Sequence, residues 1–196
     1  MTMRKCVGWV VMATLMLTLG CSTATCPMDT EVTCNYQFYD ADGNPSALYD
    51  TLTVTFRKLV TIYTYRKEGM NDSIVRDRDK TLVAAGYSET EGKTLIDTII
   101  MNRLIEGTEM KLPMSYYALV DTLVFHYGKI RLPDTLYIYH TGYTHVETPE
   151  CGSYQFHNIS NLRATDRCID RVELIDPKVN YDKKDNVRIY FNTSPE

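Results

Sequence analysis

The chain has 196 residues, a net charge of −4 and 44% hydrophobic residues, enough for one domain with a proper core. Its basic residues form no run longer than Lys183-Lys184. That balance argues against nucleic acid as a partner, since phosphate binding needs clustered cations, and against attachment to membranes through a polybasic patch.

The N-terminus reads as an export signal. Arg4 and Lys5 precede CVGWVVMATLMLTL, residues 6–19, which contains no ionisable group except the Cys6 thiol. A positive start and an apolar core of this length fit a secretory signal peptide over residues 1–20. A spanning helix needs about 20 apolar residues, and here the run gives way at Gly20-Cys21 to a polar segment. Leu17-Thr18-Leu19-Gly20-Cys21 resembles a bacterial lipobox, which makes Cys21 the expected lipidation site. Membrane attachment through that lipid, with palmitate among its chains, would then be effectively permanent. Removal of residues 1–20 takes Arg4 and Lys5 away and leaves a net charge near −6.

Export places the chain where thiols pair. Cys6 leaves with the signal peptide and Cys21 carries lipid. Cys26, Cys34, Cys151 and Cys168 remain, an even number that allows three pairings. None of them has the short spacing of a structural zinc site.

Residues 21–32 read as a lipid-anchored tether, and residues 33–196 as one β-domain. Cys34-Asn35-Tyr36-Gln37-Phe38-Tyr39 alternates, and Asp40-Ala41-Asp42-Gly43-Asn44-Pro45 is dense in turn residues. Leu52-Thr53-Val54-Thr55-Phe56 alternates again, and residues 59–65 continue apolar and aromatic. Residues 66–94 are less regular and predict an excursion, either a long hairpin loop or a short appended strand pair. Further strands are expected at 96–101, 109–112, 123–127, 136–140, 154–157, 169–175 and 187–191. No long stretch shows a helical period. Nine to eleven short strands, with fifteen Tyr, predict an all-β antiparallel sandwich, immunoglobulin-like or related, without a substantial helix after the signal peptide.

Asp followed by Thr or Ser and a branched apolar residue occurs five times: at Thr51, Ser73, Thr98, Thr122 and Thr135. Where a strand begins, Asp can close the turn and Thr can start the strand. The tripeptide also resembles the acceptor signal of an O-glycosylation system of Bacteroidota, so the five hydroxyls are candidate acceptors.

His140, His145 and Glu147 are the densest group of candidate metal ligands. Extended chain puts His140 and His145 on opposite faces unless Gly142 turns the strand, so no metal or other cofactor is expected. No nucleophile elbow, HExxH, P-loop or dinucleotide fingerprint is present, and no catalytic residue is assigned. Tyr63, Tyr65, Tyr116, Tyr117, Tyr137, Tyr139, Tyr143 and Tyr154 are candidates for a glycan- or peptide-binding platform.

The C-terminal half, with Val120-Asp121-Thr122-Leu123-Val124-Phe125-His126-Tyr127, Glu150-Cys151-Gly152 and residues 169–181 and 186–191, resembles a family of uncharacterised Bacteroidota lipoproteins, a domain of unknown function. The resemblance implies an exported β-rich lipoprotein with no assigned activity. It also implies a Cys26–Cys151 disulfide, because family members carry Cys-Pro near the lipid cysteine and Cys-Gly before the last strands. Cys34 and Cys168 would then pair with each other. The expected function is a non-catalytic binding or scaffolding domain in the cell envelope. It would be held at the outer membrane, on the periplasmic face or the cell surface, with an envelope protein as a possible partner. A hydrolase is the more distant alternative.

Overall fold

Strand alternation along the chain resolves into two packed sheets. A computed structural model describes residue 26 and residues 31–48, 50–148 and 150–192. The signal peptide over residues 1–20 and the lipidation site Cys21 lie outside the described residues. Within them the order is β1 (Cys34–Asp40), β2 (Leu52–Arg66), β3 (Ser73–Arg76), a five-residue helix α1 (Lys80–Ala84), β4 (Ser88–Leu104), β5 (Glu109–Leu112), β6 (Val120–Tyr127), β7 (Asp134–Val146), β8 (Ser153–Ala164), β9 (Ile169–Leu174), β10 (Lys178–Val179) and β11 (Val187–Phe191).

One sheet has four strands in the order β5-β1-β11-β9. The other runs β10-β8-β7-β6-β2-β3, with β4 also paired to β2. All neighbours are antiparallel except β1 and β11, which run parallel from Tyr36↔Val187 to Asp40↔Phe191. Between the sheets, Tyr36, Phe38, Leu112 and Ile189 from the first meet Leu52, Val54, Leu123, Phe125, Leu136 and Ile138 from the second, each at most 1% exposed. The period-2 pattern of β1, β6 and β7 is what delivers those side chains to one face. The fold is therefore an all-β sandwich, as the alternation predicts.

Several strands are longer than expected. β2 fuses the two segments predicted at 52–56 and 59–65 into 15 residues, and β4 has 17. The two pair from Leu52↔Leu104 to Arg66↔Ser88. Only Leu52 to Phe56 also pairs with β6. The rest projects past the N-terminal end of β6 as an arm, whose tip is widened by β3. The predicted excursion over residues 66–94 forms the outer part of this arm, with β3, α1 and the first residues of β4, while the rest of the arm continues the strands predicted at 59–65 and 96–101. Tyr65, at its tip, is fully buried: its hydroxyl donates to Glu89 Oε2 at 2.9 Å and accepts the Asp79 N–H at 2.6 Å. Asp79 in turn caps α1 by accepting the Thr81 N–H.

The two ends of β7 define two poles. The β6–β7 turn lies at one. The β7–β8 turn, with Cys151, lies at the other, about 40 Å away along a 13-residue strand. Cys151 is bonded to Cys26, as the resemblance implies. The second expected disulfide is not formed: Cys34 and Cys168 are separate, buried free thiols. Sheet topology explains the difference. β11 lies between β1 and β9, which puts those strands about 10 Å apart. Cys34 opens β1 near the Val187 end of β11, while Cys168 precedes the residue opposite Phe191 at its other end. A disulfide requires Cα atoms within about 7 Å.

Candidate binding groove

At the pole away from Cys151, the turn after β1, the segment before β2, the β6–β7 turn and the entry to β9 surround an open groove of about 990 Å³. Each segment is locked by a carboxylate. Asp40 accepts the Asn44 N–H at 2.8 Å, and Gly43, at φ +88°, lets the chain reverse there. The Asn44 amide holds the Asp40 carboxyl below its usual range. Asp50 accepts the backbone N–H groups of Thr51 and Lys129 at 2.7 and 2.9 Å, which ties the start of β2 to the β6–β7 turn.

Beneath the groove, Asp134 is fully buried. It accepts the Tyr127 and Thr165 hydroxyls at 2.8 and 2.7 Å and the backbone N–H groups of Arg167, Cys168 and Ile169 at 2.9, 2.8 and 3.1 Å. A buried carboxylate is tolerated when donors converge on it in this way. Burial and the adjacent Asp134 push the Tyr127 phenol well above its usual pKa, so it stays a donor.

The acids of the groove are thus engaged with the backbone, and its cations are not. Lys129, Arg131 and Arg167 all line the groove, are exposed, and show no side-chain hydrogen bond or ion pair among the described residues. Ile130, Leu132 and Phe191 supply apolar wall between them. Asp40 and Asp50 line the same groove and keep their charge when hydrogen-bonded to backbone, so the lining carries three cations against two carboxylates, and the three cations, unpaired among the described residues, offer an anionic group its contacts. None of these residues stands out in the sequence, because the groove is assembled from segments up to about 150 residues apart.

From the middle of β7 toward the opposite pole, the interior is polar. Asp121, 1% exposed, accepts the Ser115 backbone N–H at 3.0 Å and the Ser115 hydroxyl. His140 Nε2 lies 3.3 Å from Asp121 Oδ2, and His140 Nδ1 lies 3.3 Å from His157 Nδ1. Burial raises the Asp121 carboxyl, but His140 and Ser115 outweigh it and leave it below the usual range. His157 is pushed down to about 4, first by burial and then by His140. Gly142 makes the room: a Cβ there would collide with the Gln155 side chain and crowd His157 Nδ1 at 3.3 Å. A small cavity of about 270 Å³, lined by Tyr116, Tyr154 and His157, opens beside this network.

The metal candidates do not converge. His140 points into the core, whereas His145 lies on the other face, stacked on Phe156 at 4.5 Å, with Glu147 at 3.9 Å. Gly142 stays within strand β7, so it does not turn the chain. Among the described residues no group of three or more His, Cys, Asp or Glu could hold an ion. The partner His140 does find, His157, is 17 residues away, outside the His140–Glu147 cluster of the sequence.

The five tripeptides separate into two kinds. Asp50, Asp121 and Asp134 close turns or anchor backbone, and their Thr51, Thr122 and Thr135 are only partly exposed. Ser73 and Thr98 are exposed, on β3 and β4. The tyrosines divide as well. Tyr63 and Tyr65 belong to the arm, Tyr137 and Tyr139 to the middle of β7, and Tyr116, Tyr117, Tyr143 and Tyr154 to the disulfide pole.

Residues 89–191, more than half of the chain, match the family of unknown function DUF6452. The chain belongs to that family. The DUF6452 match runs from the start of β4 to the end of β11 and includes the groove residues Lys129, Arg131 and Arg167, both buried aspartates and the buried histidines. β1 and β2, which complete the two sheets, precede it. Comparison with curated proteins and with solved structures gives no match.

Proposed function

We propose that this DUF6452 protein is a lipid-anchored envelope protein whose groove binds an anionic ligand without transforming it. The carrying observation is the placement of Lys129, Arg131 and Arg167, unpaired, around a groove at the pole away from Cys26–Cys151. The disulfide holds residue 26, five residues beyond Cys21, against the other pole, at most about 18 Å of extended chain from the lipid. A chain anchored at Cys21 would therefore turn the groove away from the outer membrane and toward ligands in the surrounding space. Carboxylates or phosphates on a glycan or an envelope protein have the required charge, and the apolar wall suits the uncharged part of such a ligand. The acids in the groove are held by backbone N–H groups, which suits a rigid receptor rather than general acid or base work.

Calorimetric titration of the full chain in nonionic detergent with an oligogalacturonate, and with its neutral methyl ester, tests the reading. Binding of the acid alone is expected, weakened about 10-fold by each of Arg131→Glu and Arg167→Glu. Equal binding of acid and ester, or binding indifferent to both variants, would refute it. Incorporation of an alkyne fatty acid, lost in Cys21→Ser, tests the anchor.

A further inference from the structure

The arm presents an open sheet edge. From Phe56↔Thr98 to Arg66↔Ser88, β2 and β4 pair without a register shift, and the irregularities are confined to Leu52, Val54 and Thr55. The other edge of β4 has no strand partner among the described residues. A long edge of unpaired N–H and C=O groups is a template for another strand. Apolar side chains accompany it: Leu95 is 60% exposed, Ile99 59%, Ile96 45% and Leu59, opposite Leu95, 57%.

We propose that this edge pairs with the same edge of a second copy, antiparallel, about a two-fold axis through Leu95. The charges select the register. Lys93, Leu95 and Asp97 share one face by the two-residue period. An axis at Leu95 sets Leu95 against its own copy and places Lys93 opposite Asp97 twice. The Leu59–Leu95 pair then extends into a row of four leucines across the axis. Asp97 already holds Arg57 at 2.6 Å, so the neighbouring row reads Arg57, Asp97, Lys93 of the second copy, with alternating sign. On the other face Thr98 meets Gly92, which has no side chain to obstruct it. The next pair on the Leu95 face, Glu91 with Ile99, is exposed and brings no like charges together. Neighbouring registers are worse. An axis at Asp97 or Lys93 opposes like charges directly, one at Thr94 puts Glu91 opposite Asp97, and one at Ile96 sets Lys93 against Ile99 and Asp97 against Leu95. The self-complementarity of residues 93–97 names a second copy of this chain as the occupant.

Light scattering after size exclusion of the full chain in nonionic detergent, with protein mass resolved from micelle mass, tests this. The native chain is expected to be a dimer at micromolar concentration. Leu95→Glu and Leu95→Lys, at an exposed site, are each expected to be monomeric with unchanged circular dichroism. Mixed in equal amounts they are expected to form a heterodimer, because residue 95 of each copy then faces its opposite charge. A monomeric native chain, a dimer that survives either variant, or a mixture that stays monomeric would overturn the proposal.

Discussion

Both poles of the sandwich rest on a buried aspartate from the same repeated tripeptide, yet they do opposite things with it. Asp134 is saturated by hydroxyl and backbone donors, which fixes the walls of the groove, and the cations above it find no partner among the described residues. Asp121 lies against His140, which lies against His157, and only a small cavity of about 270 Å³ opens beside them. An open site at one end is thus compatible with a fixed frame, because its acids are hydrogen-bonded to backbone N–H groups and make no ion pair with its cations among the described residues. The other pole spends its polar groups on each other and is sensitive to protons.

The largest effect is expected at the disulfide pole. Cys26→Ser or Cys151→Ser opens a loop with a sequence separation of 125 residues, and chemical denaturation should show a loss of about 4 kcal/mol. Groove binding should survive in the fraction that remains folded.

Next, Asp134→Ala strands five donors beneath the groove, two of them hydroxyls and three backbone N–H groups. Stability should fall by about 3 kcal/mol, and anion binding should weaken with it, since the backbone of Arg167 loses its anchor. Asp134→Asn, which keeps some acceptors, should lose less. A variant as stable as the native chain would remove the distinction between the poles.

A smaller effect separates the poles by pH. The His157 ring is held down to about 4 in the fold, whereas 6.5 is its ordinary value. Between those values the unfolded chain binds the extra proton, so stability is complete above pH 6.5 and falls as pH drops toward 4. The expected loss across that window is about 2 kcal/mol. The lowered Asp121 carboxyl gives up its contribution only at lower pH, as acid protonates it in the fold. Denaturation of His157→Gln across the window should show a flatter profile. Smallest of all, Arg131→Glu and Arg167→Glu should change stability by no more than about 0.5 kcal/mol while they weaken the groove.

Much of the frame is legible in the sequence. Alternation identifies β1, β6 and β7, residues 40–45 form the expected turn, and the Cys-Pro and Cys-Gly pairs lead to the Cys26–Cys151 bond through resemblance. What fails does so through topology. Once the resemblance assigns Cys26–Cys151, Cys34 and Cys168 are left to pair, but β11 lies between their strands and they sit at opposite ends of it. His140 meets His157 because β7 and β8 pair with a shift between Tyr139 and His140, and strand patterning does not report such shifts. The Asp-Thr-Leu repeats are visible, but the number of donors on each carboxylate is not. The groove is least visible of all, because its cations come from turns that meet only after both sheets have closed.

Residue-resolved titration is the sharpest test of the groove as an anion receptor. Amide resonances of the full chain should be followed by NMR as the oligogalacturonate is added, with the methyl ester as the neutral control. Shifts are expected to centre on residues 129–132 and 167–168, to be absent with the ester and lost in Arg131→Glu combined with Arg167→Glu, and none is expected at His140 or His157. Shifts centred on the disulfide pole, or identical shifts with acid and ester, would contradict that reading.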